Sequence, residues 1–367
     1  MEVFSDPQDY PLDRLDPVSF LSTIYPQEVS LRDLAKSNSL HGLHNRFISW
    51  RVFLNIFPEN TPPSNWLELA QAHRKNYQEL KRSFDSVAIP NLDPQVFNPL
   101  SHSTENPWNS FYQDNELKQT IRNDLDRTLQ ERALFQKEET KETLLQVLFV
   151  WCKGNPDISY RQGMNELLAI LYIVGFTEKA DFEFSLPNKQ AEATLKSLND
   201  PQHLEADIFE LFSRLMSLGV KELFLPVITK KTKMVNNLLN FEKSGIENDF
   251  VNNDKTNDAH TSKILKRCHR VHHRLLQALD KQLYNYIESQ KIEPQIYLQR
   301  WIRCMLTREF NLSNTLILWD CIFAYVHVQQ DNRIEGFTGR LDFRKELVMV
   351  DFVCVAMIVF VRGFRKI

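Results

Sequence analysis

The sequence predicts an all-α fold, and three observations support this prediction. Wherever the chain shows a regular pattern, apolar residues recur in steps of three and four, as on one face of an α-helix. The strict two-residue alternation of a half-buried strand, bounded by turn residues, is hard to find. Only 9 glycines occur in 367 residues, which weighs against glycine-rich phosphate loops and tight β-hairpins.

The apolar stripes place eight helices along the chain. The first follows Pro62-Pro63-Ser64, a typical helix start, and the third ends near Gly154. A long fifth helix ends before Pro294. In chain order the stripes or ranges are Trp66, Leu69, His73, Tyr77, Leu80 and Phe84; Leu117, Ile121, Leu125 and Thr128; Leu144, Leu145, Leu148 and Trp151; Ser159 to Gly175; Ile264, Cys268, Val271, Leu275, Leu279 and Leu283; Ile296 to Met305; Leu316 to Val326; and Lys345 to Arg365.

Three polar segments interrupt the helical pattern. Ser86 to Pro107 is predicted as a loop, Glu178 to Asp200 as an insertion, and Glu242 to Thr261 as a disordered surface loop. A chain of this length suits about two domains or lobes. We expect an N-terminal extension (1–39), an N-terminal lobe (about 40–200) and a C-terminal lobe (about 201–367). The last helix has no stop signal, which leaves a truncated second lobe open.

Composition excludes several classes of function. The formal net charge of −3 provides no global basic field, so nucleic acid is not the expected partner. Five cysteines without C-x-x-C spacing indicate free thiols in a reducing compartment. The first residues show neither a basic n-region nor an apolar h-region, so no secretory signal is expected. The most apolar run, Leu347 to Val361, is shorter than the roughly 18 residues that span a bilayer and contains Asp351. A cytoplasmic protein without a transmembrane segment is expected.

No complete nucleotide, zinc-protease or serine-hydrolase motif occurs in the chain. His269, His272 and His273 beside Cys268 raise the possibility of a metal site. They lie on one predicted helix among basic residues, with no carboxylate close in sequence, so we interpret them as a solvated basic face. We expect neither a metal nor a cofactor.

Two short segments carry side chains suited to chemistry. Arg127 lies 240° around the predicted helix from Ile121, off the apolar stripe, and Asp124 three residues earlier can steer its guanidinium. Taken alone, this segment is better explained by an ordinary surface Asp–Arg ion pair. Ser159 and Gln162 have the spacing of a capping box, which would make Gln162 structural. Alternatively, Gln162 lies at an exposed helix start and orients a water molecule.

The two segments together resemble a known family. Ile-x-x-Asp-x-x-Arg over 121–127, followed by Tyr-x-Gln with Gly-Met over 160–164, resembles the paired signature of the TBC (Tre-2/Bub2/Cdc16) domain of Rab GTPase-activating proteins. The resemblance covers about residue 40 to the end, in the family's order, and implies a two-lobed helical fold. Further segments similar to the family are Arg46-x-x-x-Trp50, Arg300-Trp301-Ile302-Arg303, Arg308-Glu309-Phe310 and Leu318-Trp319-Asp320.

The resemblance implies a role for each residue. Arg127 is expected to be an arginine finger and Gln162 a glutamine finger, both supplied to the active site of a Rab-family GTPase that carries GTP and its own Mg²⁺. Two alternatives are a non-catalytic adaptor that binds Rab or retromer on the same scaffold, and a helical structural protein with chance matches. The residues expected to support the two fingers are Arg46, Trp50, Asp124 and Tyr160.

A subgroup is also suggested. Asn98-Pro99-Leu100-Ser101, the segment 108–114 and Pro294-Gln295-Ile296-Tyr297 are similar to the retromer-associated endosomal members of the family. This similarity implies a cytoplasmic protein peripheral to endosomal membranes. Asn98, Pro99 and Leu100 are expected to contact retromer, although a plain proline turn explains them equally.

Overall fold

A computed structural model of the protein describes residues 14–25, 30–58, 61–84, 107–225, 262–326 and 347–362. Every regular element in these ranges is helical, and none is a strand, so the all-α prediction is confirmed. The α-helices are α1 (Pro17–Ser19), α2 (Leu31–Lys36), α3 (Arg46–Phe53), α4 (Trp66–Phe84), α5 (Pro107–Leu125), α6 (Ala133–Gln136), α7 (Glu138–Gly154), α8 (Met164–Thr177), α9 (Lys189–Leu198), α10 (Leu204–Leu215), α11 (Lys263–Arg270), α12 (Gln277–Leu279), α13 (Lys281–Ser289), α14 (Gln295–Arg303), α15 (Leu312–Ala324) and α16 (Met349–Arg362).

Shorter turns of other helix types extend or connect these helices. π-helical segments follow α1, α10 and α11 directly, whereas 3₁₀ turns precede α4 and α10. The π segments are Phe20–Ile24, Met216–Val220 and Val271–Leu276, and the 3₁₀ turns are Leu40–Leu43, Pro63–Asn65, Pro201–His203 and Lys221–Phe224. No helix in the described ranges has both the length and the apolar character needed to cross a bilayer.

Helix α8 lies at the centre of the core, and its residues from Met164 to Gly175 are all buried. It packs against α3, α5, α7 and α10. A side chain at Gly175 would meet Ile208 Cδ1 and Leu204 Cδ1 at 2.9 Å and Phe47 Cε2 at 3.0 Å. The glycine therefore allows α3 and α10 to approach α8 closely, which explains a glycine inside a helix despite its low helix propensity.

The predicted N-terminal extension and the predicted insertion both contribute residues to the same core. In α2, the Arg32 guanidinium donates to the carbonyl oxygens of Phe323 (3.2 Å) and Ala324 (2.8 Å), at the end of α15. It also donates to the Phe53 carbonyl at 3.2 Å. Arg32, from the predicted N-terminal extension, thus caps the C-terminal ends of α3 and α15. Likewise, the polar segment 178–200 contains α9, which packs on α4 with apolar residues buried: Ala191, Leu195 and Leu198.

Helix boundaries differ from the prediction at three places. The helix predicted from Ser159 begins only at Met164, because Ser159 (φ 54°) and Gly163 (φ 104°) have left-handed backbones. The long helix predicted over 264–283 is broken at Asp280, whose side chain caps α13 by accepting from the Leu283 N–H. Helix α5 ends at Leu125, before Arg127. The segment 242–261, and all but the last residue of 86–107, lie outside the described residues.

Candidate functional site

The candidate site begins at the C-terminal end of α5. Asp124 is 5% exposed, and one of its carboxylate oxygens accepts a hydrogen bond from Arg127 Nη2. Arg127 lies in the turn after the helix, and 59% of its side chain is exposed. The predicted Asp124–Arg127 contact and the outward direction of Arg127 are confirmed. The helical geometry used to predict them is wrong, because the last helical residue is Leu125.

Tyr160 brings the segment before α8 to the same carboxylate. Its hydroxyl donates to Asp124 Oδ2 at 2.7 Å, and the residue is 7% exposed. Burial is the largest cause of a raised pKa for Tyr160, and the hydrogen bond to Asp124 raises it further. The hydroxyl therefore keeps its proton and remains a donor. Arg127 and Tyr160, 33 residues apart in the chain, share one buried carboxylate.

Asn165 makes a second connection, which sequence reasoning missed. Its Nδ2 donates to Thr128 Oγ1 at 2.8 Å, and its Oδ1 accepts from the Gly163 N–H at 3.0 Å. Thr128 in turn donates to the Asp124 carbonyl at 2.7 Å. The only signal in the sequence is an asparagine at the start of a strongly apolar helix. This side chain joins the residue after Arg127 to the residue after Gln162.

Gln162 is exposed, in the turn just before α8. The capping-box interpretation is wrong: Ser159 is not the N-cap, which is Gly163, and Asn165 accepts the Gly163 N–H. Among the described residues, no side-chain hydrogen bond holds the Gln162 amide. A side chain at position 163 would lie 3.4 Å from the Phe224 ring and 3.5 Å from Cys304 Sγ, at a φ of 104° that disfavours any residue with a Cβ.

Arg46 and Trp50 bind a different carboxylate from the one that holds Arg127. Arg46 Nε and Trp50 Nε1 donate to Asp320 Oδ1, on α15, at 2.8 and 2.7 Å. At the start of α3, the buried Glu178 accepts the N–H groups of Arg46 and Phe47 at 2.8 and 2.7 Å. Burial raises the pKa of Glu178 to about 7.

Two of the four predicted supporting residues, Asp124 and Tyr160, belong to the network that holds Arg127. The other two, Arg46 and Trp50, connect α3 to α15.

A third arginine lies beside the start of α8. Arg308 Nε donates to Glu166 Oε1 at 3.0 Å, and about half of the Arg308 side chain is exposed. Glu166 is in the first turn of α8, four residues after Gln162. The sequence identified Arg308 only as part of a family-like segment and assigned it no role.

The interpretation of the histidine segment as a solvated basic face is wrong for its central residues. Cys268 and His272 have no exposed surface, and Arg267 is buried against Asp351. The carboxylate that contacts His272 belongs to Glu288, which lies 16 residues later in the chain, on α13. For this reason no carboxylate was close to the histidines in sequence. The predicted contact loop of Asn98, Pro99 and Leu100 lies outside the described residues.

A match to a protein-family model identifies the family of the chain. Residues 98–250 and 248–332 match the model of the Rab-GTPase-TBC domain, together more than half of the chain. The chain belongs to this family. TBC-domain membership excludes the alternative of a helical structural protein with chance matches.

Individual TBC-domain relatives match most of the chain. Human TBC1 domain family member 5 is 28% identical over 336 residues, which cover 91% of this chain and 39% of the relative. Its homolog B from Dictyostelium discoideum is 24% identical, covering 94% of this chain and 39% of the relative. The chain thus spans about two fifths of the length of these relatives. The crystal structure of the Ypt/Rab-GAP domain of Gyp1p has a TM-score of 0.59 at 18% identity, covering 94% of this chain and 85% of that one, and shows a shared fold.

Proposed function

We propose that this TBC-domain chain is a GTPase-activating protein for a Rab-family GTPase, with Arg127 as its arginine finger and Gln162 as its glutamine finger. The observation that carries the proposal is the shared hydrogen-bond network. Asp124 binds both Arg127 and Tyr160, and Asn165 links the residues that follow the two fingers. Two exposed side chains, distant in sequence, are thereby held on one buried scaffold.

Arg127 suits the charge that develops during phosphoryl transfer. In the transition state, negative charge spreads over the γ-phosphoryl oxygens, and an arginine supplied in trans accelerates hydrolysis by about 10³–10⁵-fold. The Arg127 guanidinium uses Nη2 to bind Asp124, which restrains its position. The remaining N–H groups of the planar fork are then available for phosphate oxygens.

Gln162 suits the orientation of the attacking water. Its amide offers a donor and an acceptor on one rigid group, so it can bind a water and hold that water in line with the leaving group. The short exposed turn before α8 leaves this amide accessible to a docked partner. We expect the GTPase to bring GTP and Mg²⁺, as the family resemblance implies.

The cellular setting is part of the proposal. The similarity to TBC1 domain family member 5, and the segments that resemble the retromer-associated subgroup, support an endosomal Rab as substrate. We also propose that the chain acts at the cytoplasmic face of endosomal membranes and that the loop with Asn98, Pro99 and Leu100 contacts retromer.

Single-turnover GTP hydrolysis on a panel of purified Rab proteins tests the catalytic proposal. At least one Rab is expected to hydrolyse GTP faster with the parent chain, and Arg127→Ala and Gln162→Ala should each abolish most of that acceleration. Arg122→Ala is the matched control, because Arg122 lies on α5 and pairs with Glu138 and Glu142 instead. A Rab that binds the chain but keeps its intrinsic rate would support the non-catalytic adaptor instead.

A further inference from the structure

A second polar cluster lies between α11 and α14, apart from the hydrogen bonds that join the fingers. At its centre is His272, which has no exposed surface. Its Nε2 lies 2.9 Å from Glu288 Oε1, and its Nδ1 lies 2.6 Å from the Tyr297 hydroxyl. The π-helical segment, α13 and α14 each contribute one of these three residues. A fully buried imidazole is thus held at both of its nitrogens.

His273 adds a second imidazole to the cluster. Its ring is nearly perpendicular to that of His272, with 4.7 Å between centroids, and its Nδ1 lies 3.2 Å from the Tyr284 hydroxyl. One ligand atom from each of His272, His273 and Glu288 lies within 4.8 Å of the other two. Desolvation is the largest cause of a lowered pKa for His273, and the neighbouring histidines lower it further.

We propose that His272, His273 and Glu288 form a binding site for a divalent transition metal, with Zn²⁺ as the best-matched ion. Neutral imidazole and carboxylate are ligands that Zn²⁺ prefers, and water would complete a tetrahedral shell. Ligand atoms in such a shell are about 3.3 Å apart, so the side chains need to move by about 1 Å. This proposal replaces the sequence-based expectation that the chain binds no metal.

The surroundings fit a bound metal. In the tautomer whose Nδ1–H donates to the Tyr297 oxygen, the Nε2 lone pair of His272 points toward Glu288, and a cation between them satisfies both. A hydrogen bond at the second nitrogen of this kind orients metal-bound histidines. Binding displaces the proton otherwise shared by Nε2 and Glu288, and that proton leaves to solvent. Independently, both histidines lie in the π-helical segment Val271–Leu276. The π-helix is rare in proteins, and where it occurs it is often at a functional site.

Metal titration of the full chain tests this proposal without any GTPase. Chelator-treated protein is titrated with ZnCl₂ by calorimetry, and Co²⁺ is added separately to record its visible absorption. We expect one Zn²⁺ per chain, a tetrahedral Co²⁺ spectrum, a Zn²⁺-dependent rise in Tm, and weaker binding at about pH 6 than at about pH 7.5, because protons compete for the ligands.

Variants of the partly exposed ligands identify the site, since a substitution at the buried His272 could unfold the protein. Glu288→Gln and His273→Gln should each weaken Zn²⁺ binding by at least about tenfold and remove the rise in Tm. Glu293→Gln is the matched control, because Glu293 is an exposed carboxylate in the same region but outside the cluster, and it should bind like the parent. Absence of stoichiometric binding, or equal binding by all three variants, overturns the proposal.

Discussion

The Asn165 amide donates a hydrogen bond to the Thr128 hydroxyl at 2.8 Å, across 37 residues of sequence. Both residues are almost fully buried. Thr128 follows Arg127 directly, and Asn165 holds the Gly163 N–H next to Gln162. The backbone next to each of the two exposed side chains, Arg127 and Gln162, is therefore joined to the other through buried polar groups.

Replacement of Asn165 by alanine is expected to lower both stability and activity. The change leaves the buried Gly163 N–H without its acceptor, which costs about 1–3 kcal/mol. It also removes the hydrogen bond that Thr128 Oγ1 accepts, although the Thr128 hydroxyl keeps its own bond to the Asp124 carbonyl. Urea denaturation measures the loss of stability, and single-turnover hydrolysis under conditions where the variant is folded measures the fall in the accelerated rate constant of GTP hydrolysis. Asn123→Ala, an exposed site on α5, is the control. A folded Asn165→Ala protein that accelerates hydrolysis as well as the parent would show that the network does not position Arg127 and Gln162 for the proposed activity.

Replacement of Arg127 by lysine is expected to remove most of the acceleration while leaving Rab binding intact. Lysine keeps the positive charge but cannot bind Asp124 and two phosphate oxygens through one planar group. We expect the single-turnover rate to fall by at least about tenfold, within the larger loss caused by alanine. Binding of the Rab loaded with a non-hydrolysable GTP analogue measures affinity separately. Arg122→Lys should match the parent in both assays, and an equally active Arg127→Lys would mean that charge alone suffices.

Much of the fold could be predicted because helical periodicity is a local signal. The stripe beginning at Trp66 and the one beginning at Leu144 correspond to α4 and α7, and the end near Gly154 is correct. Backbone departures were less predictable. Nothing in the residue types requires Ser159 to adopt a φ of 54°. The partner of the next residue, Tyr160, is Asp124, which lies on a helix elsewhere in the chain.

The site was predicted where a single segment carried its chemistry and missed where distant segments meet. Asp124 and Arg127 are three residues apart, so their contact follows from spacing. Asn165 and His272 depend on partners brought by other helices, and their roles cannot be derived from neighbouring residues. Arg46 was grouped with the fingers through family resemblance alone, and its partner Asp320 is 274 residues away.

The buried Glu178 predicts an unusual dependence of stability on pH. Its pKa is about 7 in the folded protein, raised by burial from the ordinary value of 4.5. Because the folded state holds this proton more tightly, its contribution to stability is present below about pH 4.5 and is lost as the pH rises to about 7. The shift corresponds to about 3 kcal/mol.

The variant Glu178→Gln isolates this contribution, since glutamine does not titrate. It loses the hydrogen bond from Phe47 N at every pH, and that constant cost cancels when different pH values are compared. Between about pH 4.5 and 7, the free energy of unfolding of the parent should fall relative to the variant by about 2–3 kcal/mol, as measured by urea denaturation. Parallel curves for the two proteins would place the folded pKa of Glu178 near its ordinary value.

Gly163→Ala is expected to disturb the turn before α8 that carries Gln162, and Gly154→Ala provides a matched comparison. At position 163 the added methyl group meets Phe224 and Cys304 at 3.4 and 3.5 Å, on a backbone with φ 104°. The left-handed backbone alone costs about 1–2 kcal/mol.

At position 154, the last residue of α7, no atom lies within 4 Å of the new methyl group. Alanine there should be neutral or slightly stabilising, because it reduces the entropy of the unfolded chain. Thermal denaturation of the two variants, with single-turnover hydrolysis, should therefore show a loss of both stability and rate only for Gly163→Ala. Equal behaviour of the two would mean that the turn before α8 relaxes without strain and that Gln162 does not need this backbone.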